Sequence, residues 1–229
     1  MRRGIYAVLT SLLIVGPVTA ADDDAFLVDK KQFKKQVRTI ALTPVDADGY
    51  FEMPDRVAAM LEAEVTRRLE KEGFDVIPSS VLAGIRRTME QQVGGITDPD
   101  TGEMDIDRAQ AVRTHSFREL WFREDFDALG NIRVSISRVS LENDRVEWDG
   151  TEQKIEYEGR GKKYAAKIYV SSVGVGIYDA TLTPLYLNYG GLEPLMYRAG
   201  EQLETLATDQ LFRDEKKIRE AVKIAVDPF

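Results

Sequence analysis

Cysteine is absent from all 229 residues of the sequence. Its absence excludes disulfides, thiolate metal sites, cysteine nucleophiles and the acylated cysteine that anchors bacterial lipoproteins. Histidine occurs only once, at His115, so any histidine-dependent triad or metal site would depend on that side chain alone. The chain also lacks a G-x-S-x-G nucleophile elbow and a G-x-x-x-x-G-K-[ST] phosphate loop. We therefore expect no enzymatic activity, no catalytic residues, no cofactor and no metal site.

Basic residues are in the minority, with 31 Lys and Arg against 39 Asp and Glu and a formal net charge of −8. Nucleic-acid binding needs a basic stripe that can neutralise phosphates, and no such stripe occurs. Acidic residues are so numerous that some will face one another by chance, so their abundance selects no active site. An acid/base hydrolase stays an alternative, although the sequence contains no organised set of catalytic residues to support it.

The sequence has no apolar run long enough for a comfortable transmembrane helix. Its N-terminus instead has Arg2 and Arg3, an apolar run over 5–15, and small residues at Val18 and Ala20. This pattern predicts a cleaved secretory signal peptide at residues 1–20, and the less favoured alternative is twin-arginine export of a folded protein. We expect a soluble periplasmic protein whose net charge becomes −10, because the +2 of Arg2 and Arg3 is lost.

Residues 37–80 predict a β-α-β unit, around which the rest of the chain is organised. The apolar run 37–42 ends before Pro44, as in a strand buried on both faces. A helix then begins near Pro54, and its apolar residues recur every four positions until Gly73. Residues 74–77 form the second strand, which a crossover of this length makes parallel to the first. We expect Ser79 or Ser80 to cap a second helix over 80–92.

The second half of the chain has the two-residue period of strands. Apolar and polar residues alternate over 132–136 and over 145–148, and turns are predicted at 143–144 and 149–150. A β-rich run over 164–178 changes its apolar phase near Ser171 and Ser172, which predicts a bulge there. The next strand covers 182–189 and ends at Gly190 and Gly191, and residues 201–226 have a helical pattern.

Together these segments predict an α/β fold. We expect residues 21–36 to be an exposed lead-in or a short helix that docks only through Phe26, Leu27 and Phe33, followed by a single domain at 37–229. That domain would contain a mixed β-sheet with the N-terminal β-α-β unit, antiparallel C-terminal hairpins and packed helices.

The order of these elements resembles the periplasmic α/β domains of CsgG, of the amino-terminal part of TolB and of LpoB. The resemblance is carried by residues 40–44, the helix over 57–72 and the strand at 73–78. Residues 127–136 and 175–180 are similar to the later strands of that group. It implies an envelope protein that contacts unidentified envelope proteins rather than catalysing a reaction. The chain differs from CsgG and LpoB in having no lipidation cysteine, and from TolB in having no propeller domain after it.

Two acidic loops are candidates for calcium binding. The first contains Asp46, Asp48, Gly49, Glu52 and Asp55, but Pro44 takes the place of the first ligand and a strand precedes the loop. The second has five acidic residues and no glycine at the template spacing: Asp98, Asp100, Glu103, Asp105 and Asp107. We interpret both as surface loops and expect Asp105 or Asp107 to cap a third helix, which runs to about Asp125.

Two features of the sequence leave alternatives open. Four aromatic residues cluster at the end of the third helix, either as core or as a binding patch: Phe117, Trp121, Phe122 and Phe126. Residues 164–189 could be a membrane-inserting hairpin of an oligomeric outer-membrane pore, although Lys162, Lys163 and Lys167 disfavour this. Gly174 and Gly176 resemble part of a dinucleotide fingerprint, but they lie within a strand pattern.

Overall fold

The computed structural model describes residues 25–48, 53–155, 157–158, 166–199, 202–207 and 210–229. The signal peptide predicted for residues 1–20 lies outside these ranges. The described residues form five helices: α1 (Lys30–Gln36), α2 (Asp55–Lys71), α3 (Ser79–Gln92), α4 (Ile106–Arg123) and α5 (Glu215–Val226). They also form eleven strands: β1 (Thr39–Leu42), β2 (Asp46–Ala47), β3 (Asp75–Ile77), β4 (Ala128–Glu142), β5 (Arg145–Trp148), β6 (Thr151–Lys154), β7 (Tyr157–Glu158), β8 (Ala166–Tyr178), β9 (Pro184–Pro194), β10 (Met196–Ala199) and β11 (Gln202–Thr205).

The β-α-β unit is present, with β1 between β3 and β4 and parallel to both. Asp127, just before β4, accepts hydrogen bonds from the backbone N–H groups of Arg38 and Thr39 at 2.8 and 3.0 Å. The expected serine cap of α3 is wrong. Ser79 instead donates from both its backbone N–H and its hydroxyl to the Glu62 carboxylate, at 2.9 and 2.6 Å. A carboxylate of α2 thus accepts the hydrogen bond of a backbone N–H in the first turn of α3. Glu62 is 17 positions before Ser79, so the local sequence around α3 does not reveal this partner.

The antiparallel half is built on β4, which pairs with β8 over 13 consecutive residue pairs. The tight turns are confirmed at Asn143 and Asp144 (φ 51° and 62°) and at Asp149 and Gly150 (φ 42° and 72°). These left-handed conformations suit two-residue hairpins. The sheet is therefore mixed, as the sequence predicts, with parallel pairs near β1 and antiparallel pairs from β4 onward.

The predicted irregularity at Ser171 and Ser172 is present, but the extra residue lies in the partner strand. Ser171 pairs with Glu193 and Ser172 with Gly191, so Leu192 of β9 is unpaired. The expected strand end at Gly190 and Gly191 is wrong, because β9 continues to Pro194. A Cβ on Gly190 would lie 1.9 Å from the Ala221 carbonyl oxygen of α5. Glycine here permits close contact between a strand and a helix rather than ending the strand.

The helix predicted over 201–226 is also wrong in its first half. Within it, residues 202–205 form β11, which pairs antiparallel with β10 in a small separate sheet that includes β7. Leu203 packs against a hydrophobic cluster formed mainly by the distal parts of β4, β5 and β8. The helix α5 begins only after Asp214, whose carboxylate accepts from the backbone N–H of Lys216 at 2.9 Å.

Helices cover both faces of the main sheet. On one face, α2 and α5 pack against Ile132, Val134, Val173 and other inward residues of β4 and β8. On the other, α3 and α4 pack over Ala41 and Leu129. The strand β1 shows this directly. Ile40 and Leu42 belong to the cluster on the first face, and Ala41 belongs to the cluster on the second, so β1 is buried on both faces. In the described part of the chain, no helix is both long and apolar enough to cross a membrane.

The segment before β1 is partly packed, since α1 is a short helix that docks through the buried Phe33. Phe26 forms a β-bridge and a ring contact with Tyr186 of β9, so Phe26 and Phe33 both dock, as the sequence predicts. Leu27 is 52% exposed and does not dock. The Phe229 ring lies among the other rings, with centroids 5.4 Å from Phe26 and 4.1 Å from Tyr186. Edge-on and tilted ring contacts therefore join the first and last described elements.

We predict that Gly190→Ala destabilises the protein by about 3 kcal/mol, because the new methyl group would clash with backbone that cannot rotate away. Urea denaturation measures the free energy of unfolding. The matched control is Gly84→Ala in α3, where a Cβ meets nothing within 4 Å. That control should gain about 0.5 to 1 kcal/mol from helix propensity. Equal stability of Gly190→Ala and the wild type would contradict the close packing of α5 on β9.

Candidate functional site

The C-terminal turn of α4 exposes aromatic side chains. Asp105 caps this helix by accepting from the Arg108 backbone N–H at 2.9 Å, which confirms one of the two predicted caps. Val112, Ser116 and Leu120 face inward at helical spacing. Phe122 therefore points outward and is 81% exposed, whereas Trp121 at 40% leans on the buried Phe126 with ring centroids 4.4 Å apart. The predicted aromatic cluster thus divides, with Phe117 and Phe126 packed in the core and Phe122 in solvent.

A cation accompanies the exposed ring. Arg118 precedes Phe122 by one helical turn on the outward face of α4 and is itself exposed. Among the described residues it has no ion pair or hydrogen-bonded side-chain partner, whereas Arg123 pairs with Glu119 at 2.6 Å. We call Arg118, Trp121 and Phe122 the aromatic end of α4.

A second surface lies on the sheet face that α3 and α4 cover only in part. The pairing of β8 with β4 and β9 sets Gly174 between Arg133 and Tyr189, and sets Tyr178 opposite Leu129. A Cβ on Gly174 would lie 2.7 Å from the Tyr189 ring, and one on Gly176 would lie 2.8 Å from the Tyr178 ring. Both rings therefore lie down on the glycines instead of standing away from the sheet. We call Asp48, Arg133, Gly174, Gly176, Tyr178 and Tyr189 the tyrosine face.

An ion pair borders these rings. Arg133 donates to the Asp48 carboxylate through Nε at 3.1 Å and Nη2 at 2.6 Å, and the Arg133 side chain is still 52% exposed. The other Asp48 oxygen accepts from the Ile136 backbone N–H at 2.9 Å. Neither tyrosine hydroxyl forms a hydrogen bond with any residue that the structure describes. The tyrosine face thus combines two unpaired hydroxyls, a guanidinium and a carboxylate.

Burial dominates the electrostatics of this surface. It raises the pKa of Tyr189, and the charges of Asp149 and Asp48 act in the same direction while Arg133 opposes them. Burial likewise raises the pKa of Tyr178, again against Arg133. The pKa of Asp149 is raised by burial in the turn before β6, and a hydrogen bond from the Ser172 hydroxyl partly offsets the effect. Perturbed groups that interact with one another are typical of functional sites, though also of structural networks.

The structure does not bring the predicted acidic loops together as metal sites. Asp48 is already held by Arg133 and by the Ile136 backbone, and Gly49 and Glu52 lie outside the described residues. Asp98 folds over its own loop, accepting from the backbone of Asp100 and Thr101 at 2.8 and 3.0 Å. These hydrogen bonds lower the pKa of Asp98. No group of three potential metal-ligating side chains occurs within the described ranges.

The other candidate residues lie at separate places in the fold and do not form a common site. His115 is exposed on the outward face of α4. Buried Glu193 accepts from the Phe212 backbone N–H, and burial raises its pKa. Gly174 and Gly176 lie within β8 under the tyrosine rings, which excludes the glycine-rich turn of a dinucleotide site.

Sequence reasoning missed the tyrosine face. The usable signal was the alternation in β8, where glycines at 174 and 176 and Tyr178 occupy one face and valines the other. Tyr189 and Arg133 come from other strands, so no local pattern placed them beside these glycines.

Ser116 in α4 generates a stability prediction, because its hydroxyl is buried without a hydrogen-bond partner in the described structure. We expect Ser116→Ala to stabilise the protein by about 1 kcal/mol in urea denaturation, since it removes an unpaired buried polar group. Ser79→Ala is the control, because that hydroxyl donates to Glu62 at 2.6 Å. The control should lose about 1 to 2 kcal/mol. A loss in Ser116→Ala comparable to the control would show that the hydroxyl has a partner.

The raised pKa of Tyr189 predicts late ionisation of its phenol. The difference in phenolate absorbance between wild type and Tyr189→Phe should develop at higher pH than the phenolate absorbance of N-acetyl-tyrosinamide, because burial raises the pKa of Tyr189. Because the folded pKa is raised, the contribution of Tyr189 to stability is complete below the unfolded pKa and is lost as pH rises through the folded one. A difference titration that coincides with the model compound would show that the ring is solvated.

Comparison with known proteins gives no assignment: no family model matches the chain, and no curated protein matches it. The resemblance to the CsgG, TolB and LpoB domains stays a prediction.

Proposed function

We propose that the chain is an exported, soluble periplasmic protein that binds other envelope proteins without catalysis, as an accessory module in envelope assembly. The aromatic end of α4 is its binding surface. The observation that carries the proposal is the 81% exposure of Phe122 on a helix whose opposite face is buried. The N-terminal pattern of residues 1–20 supports export, and the resemblance in element order supports a role in the envelope.

Moving an exposed phenylalanine ring from water into an apolar protein interface lowers the free energy. Burying the ring of Phe122 contributes about 1.5 to 3 kcal/mol. Aromatic and arginine side chains are enriched at the energetic centres of protein interfaces, and Arg118 is available one turn away. The partly exposed Trp121, supported from below by Phe126, extends the apolar area. Together they supply an anchor, a cation and a rigid helical base.

The pore alternative is less well supported by the same structure. Val173, Val175 and Ile177 of β8 are buried in the cluster that includes α2 and α5. A hairpin made of β8 and β9 would have to leave this cluster in order to enter a membrane. The hydrolase alternative is weaker too, because the half-buried carboxylate of Asp149 and the buried carboxylate of Glu193 are already engaged by Ser172 and by the Phe212 backbone.

A photocrosslinking amino acid at position 122, introduced into the full-length chain in cells, tests the proposal. We expect a crosslink to a discrete envelope protein and recovery of the uncrosslinked chain in the soluble osmotic-shock fraction. The matched control carries the crosslinker at Tyr169, which is 48% exposed in β8. The control should not give the same product.

Two outcomes would overturn this assignment. Identical crosslinks at positions 122 and 169, or none at 122, would remove α4 as the binding surface. Recovery of the chain only as a membrane-embedded oligomer would favour the pore, and recovery in the cytoplasmic fraction would contradict export.

A further inference from the structure

We propose that the tyrosine face is a binding site for a neutral, polyhydroxylated ligand, namely a short oligosaccharide. The site lies on the sheet and not on the aromatic end of α4, so the inference does not rest on the proposed protein-binding function. It rests on the way β4, β8 and β9 place Arg133, Tyr178 and Tyr189 on one side of the sheet.

Two aromatic rings form the platform. Each ring is supported from below by a glycine, Gly174 under Tyr189 and Gly176 under Tyr178. Both glycines are buried, whereas both tyrosines are only half-buried. Each half-buried ring therefore has a part that contacts a glycine and a part that solvent can reach, and the faces of an aromatic ring carry negative π-electron density. The C–H groups on one face of a pyranose ring carry the complementary partial positive charge and stack on such a surface.

Hydrogen-bonding groups surround this platform and suit hydroxyl groups. The two phenols both donate and accept, the exposed Arg133 guanidinium donates, and Asp48 has an oxygen that accepts from only one backbone N–H. A sugar hydroxyl likewise donates and accepts, so it can pair with each of these groups. A purely apolar ligand would cover the two phenolic hydroxyls without giving them a hydrogen-bond partner, which costs free energy.

The charge balance favours a neutral ligand over an anion. Arg133 is paired with Asp48 at 2.6 Å, so the positive charge on this surface is already compensated. Asp149 lies close enough to Tyr189 to raise the pKa of its phenol. Phosphate or a carboxylate would thus meet two acidic side chains beside a single compensated cation.

The packing of the two rings over glycines does not explain why both side chains carry a phenolic hydroxyl. Phenylalanine would fill the space above Gly174 and Gly176 as well as tyrosine does. The two phenolic oxygens have no partner among the residues that the structure describes, and burial raises the pKa of both phenols. They are therefore available as neutral donors at physiological pH.

The test is binding of cellohexaose, maltohexaose and chitohexaose to the full chain, followed by two-dimensional amide NMR. We expect at least one of them to bind with a Kd on the order of 1 mM or tighter and to shift the amides of Gly174 and Gly176. Tyr189→Ala should weaken that binding at least about tenfold, since it removes the ring as well as the hydroxyl. Tyr189→Phe keeps the ring over Gly174, so its loss of about threefold or more reports the hydroxyl alone.

Tyr169→Ala is the matched control, because Tyr169 is a half-exposed tyrosine of the same strand whose ring lies against Arg138 instead. It should bind the sugar like the wild type, and so should Phe122→Ala, which separates this site from the aromatic end of α4. The proposal is overturned if none of the three sugars shifts these amides or if Tyr189→Phe binds as the wild type does. Inorganic phosphate shifting the same amides more strongly than every sugar would overturn it as well, in favour of an anion site.

Discussion

The contact on which the fold depends is the close approach of α5 to β9 at Gly190. The site of a Gly190 Cβ lies 1.9 Å from the Ala221 carbonyl oxygen, so helix and strand meet there without an intervening side chain. This proximity lets Tyr186 and Asn188 donate to the carbonyls of Ala225 and Ile224 at 2.6 and 2.9 Å. Those carbonyls belong to the last turn of the helix, which has no intrahelical partners for them. One small residue thus sets the helix position, and two polar side chains of the same strand satisfy the end of that helix.

Because α2 and α5 cover one face of the sheet, the exposed polar and aromatic side chains of the tyrosine face lie on the other. There α3 and α4 cover the part near β1 and the start of β4, where Ala41 and Leu129 contribute to their cluster. The pairing of Leu129 with Tyr178 marks the boundary between the helix-covered part and the tyrosine face. Phe126, which supports Trp121, belongs to the same cluster as Leu129 on the helix-covered side of this boundary. The two surfaces proposed for binding differ in chemistry, because one is an apolar anchor beside the exposed Arg118 and the other a pair of hydroxyl-bearing rings.

Local sequence patterns predicted the features whose physical cause is local. The parallel β-α-β unit, the turns at 143–144 and 149–150 and the Asp105 cap follow from periodicity and residue chemistry within a few positions. The failures have non-local causes. Gly190 and Gly191 were expected to end a strand because the nearby backbone of α5, which requires glycine, is distant in sequence. Residues 202–205 pair as a strand with β10, although their own pattern also fits a helix. The cap of α3 comes from Glu62, 17 positions before Ser79.

The sequence by itself determined the fold class, the order β1, α2, β3, α3 and α4, and the absence of cysteine chemistry, because composition and hydrophobic period act along the chain. It missed the two-residue strand β2, which pairs with β4 inside the segment interpreted as a surface loop. Tertiary structure alone decided which aromatic residues are exposed. Phe122 and Phe126 have the same side chain and lie four positions apart, yet one is 81% exposed and the other 7%. The difference arises because α4 ends between them and the chain turns Phe126 back under Trp121. The tyrosine face was equally beyond sequence reasoning, since strand register, a property of pairs of segments, brings Arg133, Gly174 and Tyr189 side by side.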